Sequence, residues 1–335
     1  MIKRQPLSQH RGQAGAALLT AMLIVTLVAS LASAMVWRQY RAVQIEAAER
    51  ARAQSAWILQ GVLDWARLIL REDARANLNE PVDHLGEVWA VPLAEARLST
   101  FLAADADNKD DSGPEAFLSG SLQDAQAQYN LRNLLGGTEV PALEQRVLER
   151  LCDSVGAPPG SAQTLIRKLR QSADSKDGGK DSSKGQTNAA DNRNPPLPPR
   201  NLDQLAWFGL TPETIERLRP VLTLLPQPTP VNLNTAPREV IAALYDGMDL
   251  ASAERLVRSR QTQPLRKLQD AASYFPSNAN LSAERADVKS AFFIIKGRLR
   301  LDERVMEERA LVQRRNLEML VIERQRVNQL QETRK

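Results

Sequence analysis

The sequence is poor in the residues from which most catalytic sites are built. Its only cysteine is Cys152, so no intrachain disulfide and no cysteine-built zinc site can form. Histidine is nearly as scarce, with His10 and His84 alone. That leaves little for histidine-metal chemistry or a Ser-His-Asp arrangement. No catalytic residue is expected from this inventory. A dominant charge sign is also missing: Lys+Arg 44 against Asp+Glu 40 leaves +4. The basic residues are interleaved with acids, which reads as solvated faces rather than a nucleic-acid surface. What the chain does have is length and apolar content, 335 residues at 43% hydrophobic. That is enough for more than one compact unit.

It also has one long uncharged run. From Ala16 to Trp37 no charged residue occurs. As a helix this run spans roughly 33 Å, about the thickness of a bilayer core. Lys3, Arg4 and Arg11 precede it, which places the N-terminus in the cytoplasm and the rest across the membrane. Helical patterning continues beyond the run. Ile58, Val62, Trp65 and Ile69 recur at spacings of four and three, with Gln60, Asp64, Arg67 and Arg71 on the opposite face. One helix is expected, apolar all round in its first half and amphipathic over 38–72, lying against a sheet.

A basic leader, a glycine, the run opening "GAALL" and a long amphipathic helix resemble type IV pilin-like proteins. The resemblance implies cleavage of the leader by a prepilin peptidase between Gly15 and Ala16, with Ala16 becoming a methylated terminus. Gly12 followed by Gln13 is the rival site, and Gly15 is preferred because the apolar run starts there. Pilins usually carry a glutamate at the fifth position after the cut, where this chain has Thr20. A carboxylate in a bilayer is expensive unless paired. In pilins it is thought to neutralise the terminal amine of the subunit above. A subunit that enters first has no such amine to meet, so Thr20 suggests a tip position.

Further along, "SGSLQDAQAQYNLRNLL" carries the alternation Leu118, Gly120, Leu122 of a strand. It then enters an Asn-Leu-x-Asn-Leu turn. With "VWAVPL" upstream, this resembles minor pseudopilins of type II secretion, K type. The resemblance implies an α+β fold in which a pilin-like N-terminal helix packs on a small antiparallel sheet. An inserted all-α domain, SAM-like or helix-hairpin-helix-like, interrupts that sheet. On this reading 1–15 is leader, 16–37 crosses the membrane, 73–129 begins the sheet domain and 130–290 is the insertion. Residues 291–328 close the sheet, ahead of a tail at 329–335. The partners implied are the I- and J-type minor pseudopilins, the major pseudopilin, the prepilin peptidase and the inner-membrane secretion platform.

Residues 172–200 are rich in Gly, Ser, Asp, Lys and Pro and are expected to form a loop without stable structure. An acidic stretch with Asp105, Asp107, Asp110 and Asp111 has calcium chemistry but lacks the glycine turn and closing glutamate of an EF-hand. It reads as a solvated loop. The family is associated with calcium, which leaves that ion open with no residues assigned, and no other cofactor is expected. Thr211-Pro212-Glu213 reads as a helix start within a first helical unit, 201–226. Over 231–275 the chain resembles a helix-hairpin-helix unit. Thr235 is its expected N-cap, Gly247 its turn, and Ala253 opens the next packing face. Hairpins of this kind bind DNA when two glycines flank an apolar residue, letting backbone N–H groups reach a phosphate. Here the trio is Gly247-Met248-Asp249, and the aspartate stands where the phosphate would dock. A membrane-anchored DNA-binding protein, with Arg255, Arg258 and Arg260 nearby, is the alternative.

Overall fold

The computed structural model describes residues 14–98, 116–137, 140–177, 196–301 and 304–330. Its contacts divide the chain into two units, Met1–Ile58 and Leu59–Lys335. Helix α1 (Ala14–Ala76) contributes to both, and it ends beyond the expected limit at 72. In the first unit Leu18, Leu19, Leu23, Ile24, Val25 and Leu27 are all exposed. This helix is long and apolar enough to cross a membrane.

The second unit contains a five-stranded antiparallel sheet. Its strands are β1 (Leu93–Arg97), β2 (Ala116–Asp124), β7 (Phe292–Leu301), β8 (Arg304–Arg315) and β9 (Glu318–Leu330), in the order β1-β2-β7-β8-β9. The charged stretch after residue 303 is thus strand, as expected over 291–328, and β9 runs two residues into the expected tail. Asn316, at φ 53°, turns β8 into β9, a conformation that Asn tolerates better than most residues.

The chain between β2 and β7 builds a helical domain on its own apolar core, which runs from Tyr129 to Val288. Its helices are α2 (Ala142–Ser154), α3 (Ser161–Asp177), α4 (Pro212–Leu218), α5 (Arg238–Leu244) and α6 (Leu250–Thr262). Two-residue parallel pairs tie its loops: β3 (Tyr129–Asn130) with β4 (Leu222–Thr223), and β5 (Val231–Asn232) with β6 (Ala286–Asp287).

The Asn-Leu-Arg-Asn-Leu motif acts as a stitch. Asn130 receives the amides of Arg132 and Leu225, both at 3.1 Å, and donates to the Gln227 carbonyl at 2.7 Å. Asn133 exchanges two bonds with the backbone of Thr229 at 3.0 Å. An asparagine amide offers the same donor and acceptor as a peptide group, so it can satisfy buried backbone that no strand pairs.

Two expectations need correction here. The helix face that packs on the sheet is Leu59, Val62, Leu63, Ala66 and Leu70, set against Phe293, Ile295, Ala310 and Val312. Trp65 is 49% exposed, so the stripe lies beside the one the large apolar residues suggested. The physical reason is closeness. Gly120 and Gly297 face each other across β2 and β7, and a Cβ on Gly297 would sit 3.3 Å from Val62. Small and medium side chains fit over such a groove, whereas an indole does not. The expected polar face is also partly engaged: Arg67 donates to the Met319 carbonyl at 3.0 Å and Gln60 accepts from Arg324 at 2.6 Å.

The second correction concerns the loop expected over 172–200. Helix α3 continues through Asp177, with Ser172 buried and its hydroxyl donating to the Leu169 carbonyl at 2.7 Å. Ala162, Leu165, Leu169 and Ser172 form one inward face, which carries the helix past the expected start of the loop. The rest of the expected loop, 178–195, lies outside the described residues. So do the acidic stretch at Asp105–Asp111 and the rival processing site, Gly12 and Gln13.

Candidate functional site

Two places in the fold carry features a soluble helical protein would not need. The first is the start of α1. Gly15 and Ala16 lie in its first turn. Thr20 donates its hydroxyl to the carbonyls of Ala16 at 3.1 Å and Ala17 at 3.0 Å. A threonine that bonds back to its own helix is satisfied without any partner. A glutamate at this position would instead call for a cation from outside the helix.

The second is a polar knot where the helical domain joins the sheet. Asp124, at the end of β2, is fully buried. It accepts from the Gln126 amide at 2.7 Å, Thr235 at 2.5 Å, Ser290 at 2.6 Å and Asn232 at 2.9 Å. Burial pushes its carboxyl up to about 6, and the Ser290 and Thr235 hydroxyls oppose the shift. Thr235 was expected to cap α5. The N-cap is Pro237 with no side-chain bond, because the Thr235 hydroxyl is committed to Asp124. No local sequence signal announces that partner, which lies far away in the chain.

Beside the knot, Asp83 accepts the Ser290 amide at 2.7 Å, and Arg314 of β8 bonds Asp83 and also Asp73 near the end of α1, the latter at 3.0 Å. Glu87 accepts from Trp89 Nε1 at 2.6 Å, the His84 amide at 3.0 Å and Asn77 at 3.1 Å. Burial, reinforced by Glu87 and Asp83, pushes the Asp73 carboxyl up to about 7. Burial also raises Glu87 and lowers His84.

Among the described residues, Asp73, Asp83 and Glu87 are the one group of three ligand-bearing side chains close enough to hold a metal. They do not fit calcium. The Arg314 guanidinium already sits between two of them, and Glu87 is occupied by three donors. Calcium needs about six free oxygens around one point. The single thiol offers no chemistry either: Cys152 is buried in the helical domain, and its pKa is pushed up to about 12.

The hairpin region carries its own acid where a phosphate would dock. Gly247 takes the left-handed conformation at φ 79° that the turn requires. Asp249 caps α6, accepting the Ser252 amide at 2.5 Å. Its carboxylate thus holds the N–H that an anion would seek. The arginines are engaged as well. Arg255 bonds Ser252 at 2.8 Å, Arg258 pairs with Glu254 at 3.0 Å, and Arg260 is buried against the Leu233 carbonyl. Ala253, expected to open the packing face, is fully buried.

Comparison with known proteins points the same way. Residues 127–227 and 231–289 each match a family model described as type II secretion system (T2SS), protein K. Type II secretion system protein K of Pseudomonas aeruginosa is 29% identical over 75% of this chain and 73% of its own length. The protein of the same name from Klebsiella pneumoniae is 28% identical over 75% and 76%. That from Pectobacterium carotovorum is 24% identical over 93% and 96%. In fold, the chain is similar to one in the crystal structure of the GspK-GspI-GspJ complex from the enterotoxigenic Escherichia coli type 2 secretion system. The TM-score is 0.61 at 17% identity, covering 84% of this chain and 98% of that one. The chain belongs to the type II secretion system protein K family and is a minor pseudopilin of that system.

Proposed function

We propose that this minor pseudopilin is the tip subunit of its filament and starts filament assembly. The observation that carries the reading is Thr20, whose hydroxyl is satisfied by Ala16 and Ala17 and asks nothing of a subunit above it. The apolar first half of α1 holds the chain in the inner membrane, with the N-terminus cytoplasmic and the two domains periplasmic. There it packs against the apolar helices of partner subunits. The solved complex of a GspK chain with GspI and GspJ supports I- and J-type minor pseudopilins as those partners. The major pseudopilin follows below them, drawn from the inner-membrane platform. The helical domain inserted between β2 and β7 is too bulky for the body of a tight filament, which agrees with a place at its end. The subunit contributes geometry to the export of folded proteins rather than a reaction.

Processing by the prepilin peptidase is part of this reading. The test is the intact mass and N-terminal peptide of protein recovered from membranes, with and without the peptidase. A methylated Ala16 terminus that disappears without the peptidase is expected. A terminus at Gln13 would move the cut to Gly12, and an unprocessed Met1 would overturn the pilin-type anchor.

A further inference from the structure

The turn that follows α1 gathers more negative charge than the fold sets against it. Asp73 of α1 and Asp83 and Glu87 of the turn bring carboxylate oxygens within 4.8 Å of one another. Their side chains are only 13%, 1% and 12% exposed. Arg314 of β8 bonds Asp73 at 3.0 Å and also Asp83, and among the described residues it is the one guanidinium that bonds the group. Asp124 at the end of β2 adds a fourth carboxyl, with its charge facing that of Asp83. His84 contributes no charge in this arrangement. Its Nδ1 accepts the Gly86 amide at 3.1 Å, so the ring proton is on Nε2, 4.0 Å from Glu87. The donors to Glu87, which are Trp89, Asn77 and the His84 amide, are neutral as well.

One oxygen of this group is an orphan. Asp83 Oδ1 is buried and has no donor among the described residues. An ionised oxygen left so is costly, whereas a proton shared with a neighbouring carboxyl satisfies both. Carboxyls this close do not all ionise, and the protons they keep belong to the group rather than to one member. A cleft of about 560 Å³ joins the group to water, with Asn77, His84 and Glu87 on its wall and Glu80 and Arg266 as its other charged residues. The turn is fastened differently on the two sides of Asp83. Asp83 itself donates its amide to the Val288 carbonyl at 2.9 Å and accepts from Asn232 at 3.1 Å, bonds that no titration touches. The segment beyond, His84 to Val91, is held through Glu87 and through Trp89, which stacks edge-on against Phe293 at 5.3 Å. Leu85, Val88 and Val91 are exposed on that same segment.

We propose that Asp73, Asp83 and Glu87 form a proton latch that seats the segment from His84 to Val91 on the end of α1. With the shared protons in place the segment is down. As they leave, like charges on α1 and on the turn repel, and the segment swings out about a fixed Asp83. Leu85, Val88 and Val91 move with it, so the pH of the surroundings sets how these apolar side chains are presented. The direction follows from burial, which holds Asp73 at about 7 against an ordinary 3.8. A carboxyl raised in the seated state favours that state fully below about pH 4, and the preference is lost as the pH rises to about 7.

Amide hydrogen exchange of the full chain in detergent micelles, followed from pH 5 to pH 8 and corrected for intrinsic rates, tests the latch. Opening of 84–91 is expected to rise by about tenfold per pH unit up to about pH 7 and to level off above it. The amides of Asp83 and Val288 should stay protected throughout. Asp73→Asn cannot ionise and should remove most of the rise. Glu87→Gln keeps an acceptor for Trp89 and should do the same, which preserves the test if the first variant does not fold. The proposal is overturned by opening of 84–91 that does not change with pH, or by a rise that survives in a folded variant. Loss of protection at Val288 in step with 84–91 would equally overturn it, because the whole unit would then be unfolding rather than one segment lifting.

Discussion

Asp73 shows how a single carboxyl sets a pH response. Its pKa is raised from 3.8 to about 7, chiefly by burial, with Glu87 and Asp83 reinforcing and Arg314 opposing. A carboxyl whose folded value exceeds its unfolded one favours folding most when protonated. Its contribution is complete below about pH 4 and is lost as the pH rises toward about 7. Asp124 shifts in the same direction, to about 6. The thermal midpoint of the second unit should therefore fall across this window. Asp73→Asn should flatten part of the slope, and an unchanged slope in calorimetry at several pH values would count against it. At this scale the sequence was half legible. The asparagines of the Asn-Leu-Arg-Asn-Leu stretch announce a turn by their type, and Thr211 announces a cap that the structure contains. Thr235 shows the limit: its partner Asp124 is 111 residues away, and no spacing rule reaches that far.

Among the elements, the seating of α1 on the sheet depends on two neighbouring glycines that differ in what surrounds them. A Cβ at Gly120 would meet the Lys296 carbonyl oxygen at 3.0 Å, a backbone atom that cannot turn away. At Gly297 it would meet Val62 at 3.3 Å, a side chain that can yield by a few tenths of an ångström. Gly120→Ala should cost about 2–3 kcal/mol and Gly297→Ala about 1 kcal/mol or less. Urea denaturation of the two variants measures the difference, and a reversed order would contradict the packing described. The strand through Leu118, Gly120 and Leu122 was readable from its period-2 alternation. The helix stripe was misread because hydrophobicity ranks Trp65 above Ala66, whereas a groove over two glycines favours the smaller residue. Which face of a helix is buried depends on the surface it meets, and that surface is built from strands that begin at Ala116 and Phe292, far along the chain.

For the whole molecule, the order of segments was the most legible feature: apolar helix, first strands, helical insertion, closing strands. The insertion lies between β2 and β7, which pair with each other across it while each keeps its sequence neighbour, β1 or β8, on the other side. The tip position is testable here. Thr20→Glu would place a carboxylate in the apolar half of α1, at a cost of about 3 kcal/mol when unpaired. In a subunit with nothing above it, secretion of an exoprotein should fall several-fold while the protein still reaches the membrane. Unimpaired secretion would mean that the glutamate finds an amine, and that the subunit sits in the filament body.

The junction at Asp124 also bears on how the head would carry force. The chain leaves the sheet at Asp124 and returns at Phe292, on adjacent antiparallel strands whose rungs begin at the same end. A pull on the head would load those rungs one after another, as in opening a zip, which is the weakest way to stress a strand pair. The knot of Asp124, Asn232, Thr235 and Ser290, backed by Arg314 and Asp83, lies across the first tooth of that zip. Tension on the head must first break a buried, multiply bonded clasp. A head joined in this way resists being peeled from the sheet that carries it.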